Sequence, residues 1–217
     1  GDTFSPLGQT FLALLIQIGG LGVTAVGAGV IIAIGKKVNM KGRNLIREAM
    51  NLDSGRGLVI FVRDIFITTV IIELSGAVLS FLVFIRDYPP IRAIGISLFH
   101  SVAAFNNSGF DILGNFQNLI PYRDNVLLNV VTCALIILGG IGFLVIREVC
   151  AKRFRWKKLS MHAKVVISMC NVLIIVGAVM LKFTENITWV AAFFHSISGR
   201  TAGFSTYPLG SFSQSGP

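Results

Sequence analysis

The sequence FHSVAAFNNSGF, residues 99–110, returns in a close copy as FHSISGRTAGF at residues 194–204. Each copy closes an apolar segment that is shorter than the ~20 residues with which a helix crosses a bilayer. Each also ends in a turn of small residues that contains a Gly-Phe pair. This combination favours a re-entrant arrangement, in which a short helix and its turn enter and leave the membrane on one side.

The composition places most of the chain in lipid or inside its own core. Of the 217 residues, 53% are hydrophobic and only 13% are charged, whereas about 25% of a soluble domain is charged. The three cysteines lack Cys-x-x-Cys spacing, which favours small buried apolar residues over a disulfide or metal set. The chain begins at Gly1 and shows no signal peptide, so we expect a piece of a longer protein. The sequence predicts an all-α membrane protein.

Four apolar stretches are long enough to cross a bilayer, and two more are too short. The long stretches are residues 11–34, 65–85, 126–146 and 165–183, and the short ones are residues 91–105 and 188–198. Because each short stretch precedes one of the repeated turns, we expect it to be a helix that enters the membrane without crossing it.

The basic residues test that expectation independently. Fourteen of the 19 Lys and Arg residues lie in or beside two connections, residues 35–64 and 147–164. Two spans and the short stretch 91–105 separate these connections, so both lie on one face only if the short stretch does not cross. The positive-inside rule then makes that face cytoplasmic. The net charge of +9 therefore indicates topology and contact with anionic lipid headgroups rather than nucleic-acid binding.

A second repeat turns this pattern into an architecture. LIQIGGLGV at residues 15–23 matches LIILGGIGF at residues 135–143, inside two of the spans. The chain then contains one complete unit, residues 65–146, between the end of one unit (1–34) and the start of another (165–217). Repeated membrane units usually surround a shared axis. We expect the Gly-Gly-x-Gly clusters to allow close helix packing rather than to act in permeation.

The repeated turns are chemically suited to ion conduction, with a purely structural helix and turn as the alternative. A backbone that bends at membrane depth exposes polar groups, which persist only where protein buries them or water reaches them. A row of carbonyls can replace the hydration shell of a monovalent cation, and Gly109 and Gly203 permit the backbone angles that such a row needs. Small residues that leave an axis open are Asn107, Ser108, Thr201 and Ala202, and candidates to wedge the turns against helices are Phe110 and Phe204.

Three motifs in the same order resemble those of the Trk/Ktr/HKT superfamily of cation transporters. They are AFNNSGF (104–110) followed by LIILGGIGF, RTAGFST (200–206), and LLIQIGGLGV (14–23) followed by the basic GKKVNMKGR (35–43). The chain is most similar to the KtrB-type potassium uptake subunits, and the likeness covers nearly its whole length. It implies repeated membrane-pore-membrane units, each a helix, a re-entrant pore helix with a filter turn, and a second helix, around a central pore.

The resemblance also assigns residues. It places the potassium filter of the second repeat at Asn107, Ser108, Gly109 and Phe110, and that of the third at Thr201, Ala202, Gly203 and Phe204. It implies pore helices at residues 91–105 and 188–198. The first and fourth filters, the rest of the third repeat, the fourth repeat and the gating loop of the family fall outside this sequence. Glycine at both visible positions goes with potassium preference in the family, with Na⁺ left open as a co-ion or regulator.

The resemblance further implies partners and a location. It implies a homodimer in the plasma membrane, the inner membrane in a bacterium, gated by a cytosolic nucleotide-binding regulatory ring. We expect such a ring to approach the basic connections 36–56 and 147–164. No cofactor is expected in this chain, because nucleotides would bind only to the partner. A non-conducting structural or assembly subunit is the alternative function.

Adjacent His and Ser residues, His100-Ser101 and His195-Ser196, raise the remote alternative of an intramembrane hydrolase. Adjacent residues in a helix do not face each other, and no orienting carboxylate is repeated with them. We therefore expect His100 and His195 to support the pore helices by hydrogen bonding, and no enzymatic activity.

Three charged residues lie close to these features. Asp111 follows the first Gly-Phe pair, where its charge would either concentrate cations at an outer mouth or cap local backbone amides. Arg200 precedes the second turn, and we expect it to brace that turn through charged hydrogen bonds. Glu73 lies alone in a span and should face the bundle, because a charge facing lipid is costly. There it would either bond a neighbouring helix or backbone, or touch an ion.

Overall fold

The computed structural model describes residues 4–22, 58–115, 117–185, 187–208 and 210. Across these residues the chain is helical and contains no strand, which confirms the predicted all-α class. The α-helices are α1 (Pro6–Leu21), α2 (Leu58–Phe84), α3 (Pro90–Phe105), α4 (Val126–Gly140), α5 (Phe143–Ala151), α6 (Met161–Thr184) and α7 (Trp189–Thr201). Short 3-10 helices lie at Ile120–Tyr122 and Trp156–Lys158.

Two helices in the described part of the chain are long and apolar enough to cross a membrane: Val62–Phe84 within α2, and α6. Helices α3 and α7 cover the two short stretches. With 16 and 13 residues they extend about 24 and 20 Å at 1.5 Å per residue, less than the ~30 Å of hydrocarbon. The second half of the predicted stretch 11–34, from residue 23, and most of the first basic connection, residues 35–57, lie outside the described residues.

Side-chain caps define where several helices begin. The side chains of Ser5, Asn125, Ser160 and Thr188 each accept a hydrogen bond from a backbone N–H three residues on, at the starts of α1, α4, α6 and α7. These caps satisfy donors that have no partner within the helix. Helix α3 begins instead with Pro90, whose fixed φ suits a first turn. Local sequence therefore sets the start of both short helices.

The predicted single helix over residues 126–146 is wrong. Helix α4 ends at Gly140, and α5 leaves it at an angle of 101°. The break falls at Gly142, whose φ of +85° cannot continue a right-handed helix, and α1 ends in the same way at Gly22, with φ +82°. Both residues are the last glycine of a Gly-Gly-x-Gly cluster. The clusters therefore end helices, and α4 with α5 makes a third crossing only if the bent pair counts as one span.

The core lies around the short helices rather than the long ones. Phe84, Phe105, Phe194 and Phe204 are all fully or almost fully buried there. By contrast, α6 leaves one apolar residue after another exposed: Val165, Met169, Val172, Val176 and Met180. An apolar exposed face on a helix of spanning length is suited to contact with lipid.

The helix pairs α2–α3 and α6–α7 are joined by equivalent contacts. The Ser101 hydroxyl donates to the Glu73 carbonyl (2.6 Å), and the Ser196 hydroxyl donates to the Ile174 carbonyl (2.8 Å). A glycine of the long helix faces each serine, because a Cβ on Gly76 would lie 2.6 Å from Ser101 Oγ and one on Gly177 would lie 2.5 Å from Ser196 Oγ. Each short helix is thus fixed to a long helix at one close crossing.

Candidate functional site

The first turn, residues 106–111, begins where α3 ends. The Ser108 amide donates to the Ala103 carbonyl (2.9 Å), and the Asn107 amide donates to the Ala104 carbonyl (3.2 Å). Asn107 has φ +52° and Gly109 has φ +68°, a region that costs a residue with a Cβ about 1–2 kcal/mol. Glycine at position 109 avoids that cost and lets the chain reverse tightly.

The second turn, residues 201–206, leaves α7 in the same way. The Gly203 amide donates to the Ser198 carbonyl five residues back (2.9 Å), and Gly203 has φ +78°. Ser198 is fully buried, and its hydroxyl donates to the Phe204 carbonyl (2.7 Å). Ser198 therefore holds the turn on both sides of Gly203. The sequence did not reveal this role, because the first copy has Ala103 at the equivalent position.

The two turns touch through their backbones. A Cβ on Gly109 would lie 2.1 Å from the Ala202 carbonyl oxygen, so no side chain fits at position 109. Thr201 Oγ1 donates to Asn107 Oδ1 across the same contact (3.4 Å). The structure thus brings together residues that the sequence assigned to two separate filters.

Asn118 bridges the two turns, and the sequence did not predict it. Its side-chain amide donates to the Gly109 carbonyl (3.5 Å), and its Oδ1 accepts from the Ser205 amide (3.2 Å). The neighbouring Leu119 amide donates to the Ser205 carbonyl (3.1 Å). Asn118 holds this position with φ +52°, a strained conformation that marks a constrained site.

Some carbonyls of the turns are paired and others are not. The Gly109 carbonyl accepts from Asn118 and the Phe204 carbonyl from Ser198. The carbonyl oxygens of Asn107, Ser108 and Gly203 accept no hydrogen bond from the described residues. An unpaired carbonyl at membrane depth needs water or a cation as its partner.

The Gly-Gly-x-Gly clusters pack directly behind the first turn. A Cβ on Gly139 would lie 1.7 Å from the Phe105 carbonyl oxygen, and one on Gly20 would lie 1.8 Å from Asn106 Oδ1. The predicted close approach is therefore confirmed. The segment that approaches is the base of the turn, so these glycines contribute to the position of the turn as well as to helix packing.

A polar cluster lies at the base of the first turn. The Asn106 side-chain amide donates to Gln17 Oε1 (3.0 Å) and Glu73 Oε1 (3.1 Å). Glu73 is buried, as predicted for a residue that faces the bundle. The cluster joins α1, α2 and the end of α3 through three side chains far apart in sequence.

The two histidines lie behind the turns with different partners. His100 is buried and its Nε2 lies 2.9 Å from Thr132 Oγ1 on α4. Because the Thr132 hydroxyl itself donates to the Leu128 carbonyl (2.7 Å), His100 Nε2 is the donor in this pair. His195 Nε2 lies 3.2 Å from Thr206 Oγ1 in the second turn. Each histidine thus makes a hydrogen bond to a threonine, and its role as a support of a pore helix stays a prediction. His100 and Ser101 point to different helices rather than to each other.

Four predicted residues have mixed outcomes. Phe204 is buried with its ring centroid 5.3 Å from that of His100 on α3, whereas Phe110 is 48% exposed and does not wedge against the described helices. Arg200 donates to the Ser196 carbonyl (3.2 Å) and contacts Cys170 Sγ (3.9 Å), so the predicted hydrogen bonds to the turn are wrong.

Asp111 accepts from the Leu113 amide (3.1 Å), the local cap that was one of its two expected roles.

The helical architecture, the helices of spanning length and the polar turns held between them define a helical membrane protein. The family model that matches residues 2–189 is that of TrkH, a cation transport protein. The chain belongs to this family. Its members are transporters and not enzymes, which removes the hydrolase alternative.

Curated relatives agree with this assignment. The chain is 33% identical to Ktr system potassium uptake protein B of Bacillus subtilis, over 97% of this chain and 49% of that protein. It is 35% identical to the potassium/sodium uptake protein NtpJ of Enterococcus hirae, over 94% and 47%. It is 29% identical to Ktr system potassium uptake protein B of Vibrio alginolyticus, over 99% and 50%. The chain spans about half the length of these relatives.

Proposed function

We propose that this chain forms part of the pore of a potassium uptake system and that the two turns line its ion pathway. The observation that carries the proposal is the set of unpaired carbonyls at Asn107, Ser108 and Gly203, in two turns that touch each other. Dehydrated K⁺ needs oxygen ligands that replace its water. The reaction is passage of the ion, with no covalent step.

The proposal assigns the helices to membrane-pore-membrane repeats. Helices α2, α3 and α4 form the second repeat, with α3 as its pore helix and the first turn as its filter. Helices α6 and α7 begin the third repeat, and α1 ends the first. The equivalent crossings at Ser101 and Ser196 support this assignment. Two turns cannot enclose a pathway, so further turns would complete the ring.

The wider setting is also part of the proposal. The names of the relatives, a potassium uptake protein and a potassium/sodium uptake protein, support K⁺ as the permeant ion and leave Na⁺ as a second one. We place the protein in the plasma membrane as a homodimer. A cytosolic nucleotide-binding ring would approach the basic connections 36–56 and 147–164.

Substitution of Gly109 tests the filter assignment. Gly109→Ser places a Cβ 2.1 Å from the Ala202 carbonyl oxygen and strains a φ of +68°, so the turns must move apart. In the full-length protein we expect potassium-dependent growth of an uptake-deficient strain to be lost, or the preference for K⁺ over Na⁺ uptake to fall at least about tenfold, equal to ~1.4 kcal/mol.

The matched control is Gly95→Ser. Gly95 lies in α3, before the first turn, and a Cβ there has no neighbouring atom within 4 Å. This variant should keep normal uptake and selectivity. Unchanged selectivity in Gly109→Ser at normal expression would show that the first turn is not part of the filter.

A further inference from the structure

An apolar cavity of about 310 Å³ lies in the angle between α4, α5 and α6. Its walls include Ile137 of α4, Cys150 of α5 and Ile167 of α6, and Phe154 and Trp156 line it from the connection that follows α5. None of its lining residues belongs to the turns. The cavity exists because α5 leaves α4 at 101°, so it is a separate site from the ion pathway.

The connection beside this cavity carries a dense positive charge. Lys152 is neutralised by Glu148, at 2.5 Å. The other basic residues between the end of α5 and the start of α6 are exposed and make no ion pair with the described part of the chain: Arg153, Arg155, Lys157 and Lys158. They alternate with Phe154 and Trp156, whose side chains line the cavity and are 80% and 48% exposed. Cations and an apolar space therefore adjoin within one short segment.

The orientation of α5 suits the membrane surface. It has nine residues, too few to cross a membrane by itself, and it leaves α4 at 101°. It buries Val145 and Ile146 and exposes Arg147, the pattern of a helix that lies in the interface between lipid and water. Exposed tryptophan is also typical of that interface. In that orientation the cavity would open at the depth of acyl chains and the cations would lie at the depth of phosphates.

We propose that this cavity binds one acyl chain of an anionic glycerophospholipid, with its phosphate held by Arg155, Lys157 and Lys158. A basic pocket between membrane helices on the cytoplasmic side is a typical headgroup site. The near absence of polar lining excludes a polar ligand from the cavity itself. The charge outside it selects an anionic headgroup over a zwitterionic one. This inference does not depend on the proposed ion pathway.

Fluorescence quenching of Trp156 tests the proposal. The full-length protein is reconstituted in vesicles that contain either brominated phosphatidylglycerol in unlabelled phosphatidylcholine or the reverse, at equal mole fractions of the brominated lipid. The Trp156 signal is the part of the emission that Trp156→Phe removes. We expect brominated phosphatidylglycerol to quench this signal at least threefold more strongly than brominated phosphatidylcholine.

Two variants separate the headgroup from the acyl chain. The triple variant Arg155→Gln, Lys157→Gln, Lys158→Gln should abolish the preference for phosphatidylglycerol. Cys150→Trp should fill the cavity. It should therefore lower severalfold the amount of phosphatidylglycerol that stays bound to the protein during purification in detergent. Arg86→Gln, which removes an exposed cation beyond the end of α2, is the control and should change neither measurement.

Three results would overturn the proposal. Equal quenching by the two lipids would show that no anionic site exists. A preference that survives the triple variant would place the headgroup elsewhere, and full lipid retention in Cys150→Trp would place the acyl chain outside the cavity. If, in that second case, the triple variant also lost the binding of a regulatory protein, the connection would serve only as the protein-docking surface proposed above.

Discussion

Asn118 holds the two turns together from a position outside both of them. It contacts the Gly109 carbonyl and the Ser205 amide, so its loss should loosen the contact between the turns. Each hydrogen bond contributes roughly 1 kcal/mol. We expect Asn118→Gly, which keeps the φ of +52° accessible, to lower the free energy of unfolding by about 1–2 kcal/mol and to reduce selectivity for K⁺. Thermal unfolding in detergent and ion uptake measure these effects.

Asn118→Asp is the matched variant. It keeps the oxygen that accepts from the Ser205 and Leu119 amides and replaces the donor to the Gly109 carbonyl with a second acceptor oxygen. It should therefore retain more stability than Asn118→Gly. If both variants have wild-type stability and selectivity, Asn118 does not position the turns.

The residues that sequence reasoning found at the site differ in kind from those that it missed. Gly109 and Gly203 were predictable because a left-handed backbone selects glycine locally. The contacts of Asn118 and those within the Gln17–Asn106–Glu73 cluster were not predictable. They join residues that lie 9 to 89 positions apart in the sequence, and no repeated motif marks them. Periodicity and motifs report local conformation, whereas such contacts exist only after helices pack.

At the scale of helices, the crossing of α2 and α3 depends on one serine. Ser101 is fully buried and donates to the Glu73 carbonyl. Ser101→Ala should lower the free energy of unfolding by about 1 kcal/mol. The control is Ser75→Ala, because the exposed Ser75 hydroxyl bonds only to the Ile71 carbonyl of its own helix. Equal melting temperatures for the two variants would contradict the importance of this crossing.

Glu148 makes the α5–α6 connection sensitive to acid. Its carboxylate accepts from Lys152 Nζ, Ser160 Oγ and the Ser160 amide, and these hydrogen bonds lower the pKa of Glu148 from 4.5 to about 2, that from Lys152 most strongly. The stabilisation is therefore complete above pH 4.5 and is lost as the pH falls towards 2. Glu148→Gln should increase the rate of proteolysis of the connection at pH 7. Below pH 4.5 the proteolysis rates of this variant and the wild type should become more similar.

Asp124→Asn serves as the control for that experiment. Asp124 pairs with Arg123 at 3.2 Å, but its side chain is 85% exposed, and such surface pairs contribute little. This variant should match the wild type at every pH. If the proteolysis rates of Glu148→Gln and the wild type differ by the same factor at every pH down to 2, the lowered pKa of Glu148 is refuted.

Helix positions were more predictable than helix continuity. Apolar length located α2, α3, α6 and α7, because burial in lipid or core requires it. The break after α4 was missed because Ile141 and Phe143 continue the apolar stretch across it, and hydropathy does not detect a positive φ. Gly22 and Gly142 carry the only local signal, a third glycine in each cluster, and sequence reasoning assigned that glycine to packing.

On the scale of the whole molecule, the orientation in the membrane is open to a direct test. Asn115 is exposed after the first turn, on the side opposite the basic connections if α3 re-enters. A cysteine placed there, in a background without other reactive thiols, should react with an impermeant maleimide added outside intact cells. A cysteine at Lys157 should react only after permeabilisation. The reverse labelling pattern would invert the topology.

The overall assembly could be predicted least. The charge distribution and the repeated motifs predict on which side of the membrane each connection lies, because both are properties of this one chain. The number of repeats that would surround the proposed ion pathway depends on contacts with further turns, which the two described turns do not supply. Direct contact between the first and second turns, seen at Gly109 and Ala202, is what the structure adds to the sequence at this scale.

That contact also limits how the two copies of the motif can diverge over generations. Positions on their outer surfaces can drift separately. A side chain gained at position 109 meets a carbonyl oxygen of the other copy, and no exchange of the side chain at Ala202 can relieve it, because every residue there presents the same oxygen. The two copies can therefore differ in sequence, as FNNSGF and GRTAGF do, while the backbone conformation of each turn stays the same.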